Sequence, residues 1–255
     1  MEWSKLQSIY ERKAYRIVQK HVKAILQGIP INNIGFNTYE YVIDGNITEE
    51  KIKAMFIEIY TAIGINYGNR IKKTLEKTTK ANILFNDVLL EQILLFLSNE
   101  GGIKITSVRS TLIEQLINAV KESLKENATV IELQNEIYRI AKQSGSFYKW
   151  QALRIARTET TSASGLAAYQ TAQQSNLVMT KKWISAKDNR TRLDHAIENG
   201  QIVDLEEPFL MADGSTLLYP GDTKGKASQV INCRCTIGFI PKRDADGMLI
   251  LKNRM

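Results

Sequence analysis

"RIARTETTSASGLAAYQTAQQSNLVMTKKWISA", residues 154–186, is where this chain changes its periodicity. Up to Asn176 it reads as the body of a long helix that begins near Phe147. That helix is rich in small residues, among them Ser162, Ala163, Ser164, Gly165, Ala167, Ala168 and Ala172. Small side chains let a neighbouring element come close to the helix backbone. From Val178 to Ala186 the pattern becomes that of a strand, with Val178, Trp183 and Ile184 as its apolar candidates. The switch predicts an α+β fold: a helical N-terminal half, then a long helix packed with a small, mainly antiparallel β unit.

Upstream, the signals are helical. Leu6, Ile9, Tyr10, Ile17 and Val18 recur near helical spacing within residues 4–26, and Gly28 with Pro30 ends the pattern. Thr48 ahead of Glu49 and Glu50 predicts an N-cap for a helix reaching about Lys77, weakened by Gly64 and Gly68. Residues 86–98 and 106–127 predict two more helices, separated by Gly101-Gly102. Thr129 with Glu132 makes a capping box for a helix that stops before Ser144-Gly145. The natural division is residues 1–145, a helical region suited to binding a partner, and residues 146–255.

Downstream, residues 188–203 predict a turn, a short helix with Asp188 as N-cap, a stop at Gly200, and a strand. Residues 206–222 predict a hairpin turning at Asp213-Gly214 and closed by Pro220-Gly221. Gly200 and Gly221 suit turns that need positive φ. Residues 228–241 predict a last strand ended by Pro241.

Composition limits the function classes. Hydrophobic residues make up 44% and charged residues 24%, with only four prolines, which argues for a folded chain over a disordered one. No apolar run reaches the ~18 residues of a membrane span, and the N-terminus lacks a signal-type apolar stretch, so a soluble protein made in the cytoplasm is expected. The net charge of +7 is spread over both halves. It permits weak, salt-dependent, non-specific DNA contact, but no reading motif accompanies it.

The only two cysteines, Cys233 and Cys235, sit two residues apart in "QVINCRCTIG". In a strand both thiols would share one face and Arg234 the other. Same-face neighbours lie about 6.5–7 Å apart at Cα, the upper edge of disulfide geometry. They suit a shared ligand better, and zinc binds thiolate sulfur and imidazole nitrogen. His195 is the only histidine of this half, which yields three candidate ligands, His195, Cys233 and Cys235. Asp188, Asp194 or water could complete four. The competing reading packs two small cysteines as hydrophobes beside a locally hydrogen-bonded histidine.

Five spaced motifs, "RIARTETTSASGLAAYQTA", "KKWISAKDNRTRLDHAIENGQIV", "PF", "LYPGD" and "INCRC", occur in the order seen in the head-morphogenesis minor head proteins of tailed phages. Over about residues 150–241 the chain resembles this Mu F-like family. The resemblance implies a minor, non-enzymatic component of the virion interior. Such a protein associates with the portal protein and with capsid or scaffold proteins. It enters the prohead from the host cytoplasm during assembly and acts in DNA packaging or delivery. Some relatives carry the domain fused to toxin modules. The matching positions here include Arg157, Glu159, Trp183, Asp188, Arg190, Arg192, Gly200, Pro220, Asp222, Asn232 and Arg234. Many relatives have cysteine where this chain has His195, which suits exchange of one zinc ligand for another. Arg192 and Val230 or Ile231 replace further candidate ligands and cannot bind an ion.

Among these positions Trp183 is expected to anchor the small core. Asp188, Arg190 and Arg192 are expected to form a charge network. Two enzyme readings stand as alternatives. Asp194-His195 beside cysteines suggests a metal-dependent nuclease, but one histidine is little for a catalytic ion. An arginine ahead of "TETTSAS" suggests an ADP-ribosyltransferase, but that stretch reads as helix and no paired-glutamate motif follows. A non-specific DNA-binding module is the remaining alternative.

Overall fold

The long helix foreseen at the switch is the axis of the molecule. The computed structural model describes residues 3–80, 88–142 and 148–252. In it, α1 spans Trp3–Gln27, α2 Tyr39–Asn46, α3 Glu49–Tyr60, α4 Asn66–Thr79, α5 Leu89–Asn99, α6 Gly102–Ser123 and α7 Val130–Lys142. The axial helix α8 spans Lys149–Gln174. Of its 26 residues 18 are buried, so it is packed on every side and is not a surface helix. By contrast α1 buries one stripe, Leu6, Tyr10, Ala14, Ile17, Val18, Val22 and Ile25, against it. The α+β reading holds, and the buried residues of the helices and of the β unit form one contiguous cluster.

Local signals are realised where they are local. Thr48 Oγ1 accepts from the Lys51 amide at the start of α3. At the start of α7 the capping box closes both ways. The Thr129 amide donates to Glu132 Oε2 at 2.7 Å, and the Glu132 amide donates to Thr129 Oγ1 at 3.3 Å. Gly64 and Gly68 behave differently from their propensity. The chain passes from α3 to α4 through a π-helical segment, Thr61–Ile65, without leaving the helical path. A Cβ on Gly68 would stand 2.8 Å from Thr171 Oγ1 of α8 and 2.4 Å from Leu89, and one on Gly64 would stand 3.0 Å from Ile93. These glycines are where α3–α4 crosses the axial helix, so their absent side chains set the packing distance. Gly102, expected as part of a stop, is the first residue of α6. The segments 81–87 and 143–147, which hold the start expected at residue 86 and the Ser144-Gly145 stop, lie outside the described residues.

The β unit contains β1 Met179–Ile184, a short helix α9 Leu193–Ile197, β2 Ile202–Asp204, β3 Phe209–Leu210, β4 Thr216–Leu217, a four-residue helix α10 Ala227–Val230 and β5 Thr236–Pro241. β1 is central, antiparallel to β2 on one side and β5 on the other, with Trp183 opposite Ile237. β3 and β4 form the expected hairpin, Phe209 opposite Leu217. Three expectations are corrected here. The inward face of β1 is Met179, Lys181 and Trp183, so Val178 and Ile184 are out of phase with it. Asp188 does not cap α9. Arg192 stands at that position, and Asp188 Oδ1 instead accepts from the Arg190 amide and Thr191 Oγ1 within the preceding turn. The last strand starts at Thr236, because residues 227–230 turn into α10 and Asn232 takes a left-handed φ of 59°.

Candidate functional site

Cys233 and Cys235 therefore lie in the irregular segment between the turn at Ile231-Asn232 and β5, not in a strand, yet both thiols reach the same place. The His195 Nδ1 atom lies 3.4 Å from Cys235 Sγ and 3.6 Å from Cys233 Sγ. All three ligand atoms fall within 4.8 Å of one another, and among the described residues this is the one such group of three metal-ligating side chains. The residues are 1–2% exposed. The two thiols titrate as a pair. The hydrogen bond between them holds Cys235 down, against the effect of burial. The same hydrogen bond and full burial push Cys233 up. The pair thus gives up one proton readily and keeps the second, as expected when like charges share a dry site.

The imidazole is held from its other side. Its Nε2 lies 2.7 Å from Gln229 Oε1, and Gln229 Nε2 donates to Asp194 Oδ2. Asp194 Oδ1 in turn accepts from the His195 amide at 3.1 Å. The Trp183 ring meets the imidazole edge-on at 5.3 Å between centroids. The sequence suggested a local hydrogen-bond partner for His195. The structure corrects this: the partner is Gln229, and Asp188 forms a two-point ion pair with Arg234, Nη2 donating to Oδ1 at 2.8 Å.

The other motif residues fasten loops to α8. Arg157 Nη1 donates to Asn232 Oδ1 at 3.3 Å, and its Nε stands 3.6 Å from Glu11 of α1. The Asn232 amide donates to Thr158 Oγ1 at 3.0 Å, and Thr161 Oγ1 donates to the Cys233 carbonyl at 2.5 Å. Ser162 Oγ donates to the Gly221 carbonyl at 2.8 Å. Gly165 faces Pro220 so closely that a Cβ would stand 2.4 Å from the Pro220 oxygen. Gly200 and Gly221 have φ of 99° and 83°. Buried Asp222 closes the loop after the hairpin, accepting from the Leu218 and Lys224 amides. Arg192 donates to the Ile231 carbonyl, and the Arg234 carbonyl accepts from Trp3 Nε1 at 2.8 Å. Arg190 contributes its amide to the Asp188 turn. The expected Asp188–Arg190–Arg192 charge network is replaced by the Asp188–Arg234 pair.

Glu159 points elsewhere, as its spacing from Arg157 requires. It accepts from Tyr60 Oη at 2.9 Å and Lys104 Nζ at 3.2 Å, so it ties α3 and α6 to α8. Glu159 and Lys104 also line a cleft of about 310 Å³ whose walls include Ile103, Val108, Ile155 and Val230. A second cleft, of about 510 Å³, gathers charge that the sequence shows as dispersed. Arg16, Lys20 and Lys23 of α1, Lys142 of α7 and Lys149 of α8 line it together. Lys20 is also paired with Glu58.

Sequence reasoning missed Thr158, Thr161, Asp194 as a holder of Gln229, and Gln229 itself. Their partners lie 34 to 74 positions away, and no spacing rule reports such contacts.

A helical frame holding a small β unit through side chain-to-loop bonds, closed by a buried thiol–imidazole cluster, defines a packing domain. Residues 112–238, from within α6 to within β5, match the family model described as phage Mu protein F like protein. Over this region the chain belongs to the Mu F-like family of phage head-morphogenesis proteins. The match begins well before the first motif recognised in the sequence and takes in α7. Over 135 residues the chain is 33% identical to NAD(+)–arginine ADP-ribosyltransferase EFV of Enterococcus faecalis, covering 50% of this chain and 26% of that protein. Over 137 residues it is 26% identical to the uncharacterized protein YqbB of Bacillus subtilis, covering 52% of this chain and 44% of that protein. The matched region is thus about a quarter of one relative and under half of the other. No solved structure matches. Among the described residues, no helix is long and apolar enough to cross a membrane.

Proposed function

We propose that this protein is a non-enzymatic structural component of the phage head, placed at the portal vertex inside the virion and acting in head assembly and DNA packaging or delivery. It enters the prohead from the host cytoplasm. The observation that carries the reading is the use of the family motif residues: Arg157, Thr161, Asp188, Asn232 and Arg234 bind one another and the loop backbone, as parts of a frame do. The helical region 1–145 contacts the portal, capsid or scaffold proteins. Exposed apolar side chains support that role, notably Leu90, Leu94 and Leu95 on α5 and Ile103 on α6. The 146–255 region serves as the family domain that α8 organises. Co-expression with the portal protein of the same phage tests this: the two should co-purify and stay together through size exclusion. A protein that never meets portal or prohead, or one that releases nicotinamide from NAD, overturns it. The transferase-named relative shares only 26% of its own length with this chain, which leaves about three quarters of that protein outside the shared region.

In this reading the His195–Cys233–Cys235 cluster is a brace, tying the turn before β5 to α9, and zinc is its cofactor. Two thiolates and one neutral imidazole around Zn²⁺ carry no net charge, which suits a buried site, and both donor types are those zinc selects.

Packaged DNA is a further partner, and the cleft of Arg16, Lys20, Lys23, Lys142 and Lys149 supports it through charge. Binding should be sequence-indifferent and should weaken steeply with salt. Replacing Lys23, Lys142 and Lys149 by alanine is expected to flatten the slope of log K against log salt by about 0.9 for each phosphate no longer neutralised. Fluorescence anisotropy with two unrelated duplexes over a salt series measures it. An unchanged slope, or a preference for one duplex, overturns the assignment.

A further inference from the structure

We infer that Gln229 is the positioning residue of the zinc site: its side-chain amide fixes the tautomer of His195, so that Nδ1, and not Nε2, is the ligand atom. This rests on the reading of the cluster as a zinc site and extends it to a residue that neither touches the ion nor carries charge.

An ionised carboxylate offers only acceptors. Asp194 Oδ2 faces one end of the Gln229 amide and accepts from it. The amide nitrogen must therefore face that carboxylate, which leaves Oε1 facing His195 Nε2 at 2.7 Å. A carbonyl oxygen cannot donate, so this contact requires the ring proton on Nε2. A neutral imidazole has one ring proton, so Nδ1 is bare. Nδ1 is the atom that faces both sulfurs, at 3.4 and 3.6 Å.

Those distances suit a shared ion. With zinc about 2.3 Å from sulfur and about 2.0–2.1 Å from nitrogen in tetrahedral geometry, nitrogen and sulfur stand about 3.5 Å apart. The amide is also the side chain this place demands. Gln229 must accept from the imidazole while donating to a carboxylate, and a glutamate in the same place would face Asp194 with like charge. Gln229 is 2% exposed and sits on α10, a helix of only four residues, so its own position depends on these bonds.

The experiment uses the full chain, purified without chelator, with zinc measured by elemental analysis and its affinity by competition with a chromogenic chelator. Wild type is expected to bind one zinc per chain. Gln229→Met, similar in volume and unable to accept the proton, is expected to lose about 10- to 100-fold in affinity, the usual cost of removing an outer partner of a ligating histidine. The double variant Gln229→Glu with Asp194→Asn reverses donor and acceptor between the two residues while leaving an acceptor on Nε2, and it should recover most of the loss. Cobalt-loaded samples should follow the same order in their sulfur-to-metal charge-transfer absorption. A wild type that takes up no zinc overturns the zinc reading itself. A wild type that binds zinc with Gln229→Met unaffected leaves that reading standing and overturns the role of Gln229. Loss in Gln229→Met without recovery in the double variant assigns the effect to packing and overturns it as well.

Discussion

Trp183→Ala is expected to destabilise the protein by about 3–5 kcal/mol, the range for deleting a buried large aromatic. Trp183 is fully buried on the central strand β1. Its ring stands edge-on to His195 and to Phe209, each at 5.3 Å between centroids. Both of its backbone polar groups are bound to the segment leading into β2, the amide donating to the Gln201 carbonyl and the carbonyl accepting from Gly200, each at 2.9 Å. The walls of the vacated space are thus a strand, an imidazole and an aromatic ring held by other bonds, and they cannot collapse to fill it. The indole Nε1 has no hydrogen-bond partner among the described residues, so the loss is burial and cavity and not a broken polar contact. Trp183→Phe should keep more than half of the stability. Urea unfolding followed by circular dichroism checks this: the midpoint should fall while the slope with denaturant stays the same. A loss under about 1 kcal/mol would show that the small core is anchored elsewhere.

Lys181→Met should do the opposite, raising stability by about 1–3 kcal/mol at neutral pH. Lys181 shares the inward face of β1 with Trp183 and is fully buried. Its Nζ has no hydrogen-bond partner among the described residues and lies 4.9 Å from the Tyr169 ring centre and 5.2 Å from that of Phe209. Desolvating an ammonium costs several kcal/mol, and cation–π contacts return about 2. Burial accordingly brings its pKa down from 10.5 to about 8, although Glu206, Asp222 and Glu207 pull the other way. Below pH 8 the folded protein carries the full cost of a buried charge. As pH rises from 8 towards 10.5 the folded state gives up the proton while the unfolded chain still holds it, so stability rises relative to a variant without the amine. The difference between Lys181→Met and wild type should therefore be largest at about pH 7 and shrink by about pH 10. A constant difference would mean that Lys181 stays charged in the fold. The comparison between the two proteins removes the contribution of tyrosines that titrate in the same range.

What a residue can be read to do depends on how far away its partner is. The Thr129–Glu132 box and the Thr48 cap formed as read because donor and acceptor are three positions apart, and so did the turn at Asp213-Gly214. The meeting of His195 with Cys233 and Cys235 was also legible, because so few residues of those types exist in the half. The route to it was not. The thiols converge through a turn after α10, whereas the sequence suggested strand alternation. "SQVIN" carries a short apolar run that suits a strand or one turn of helix equally. Bonds from Gln229 to His195 and Asp194 decide for the helix. Gly64 and Gly68 show the same limit. Propensity scores them as weak points in a helix, and contact with α8 makes them the places where two helices can approach.

By itself, the sequence determined the α+β class, the long helix followed by strands, the Thr48 and Thr129 caps, the hairpin turn and the trio of candidate ligands. Each of these depends on periodicity, on caps within one helical turn, or on residue types too scarce to be ambiguous. Only the tertiary structure decided which face of β1 is inward, that five cations from three helices share one cleft, and that the motif hydroxyls of α8 hold the loops. It also decided that Gln229, held by Asp194, sets which nitrogen His195 offers to the cysteines. These are contacts between residues far apart in the chain, and they exist only once burial has brought the elements together and left each polar group to find a partner or go without.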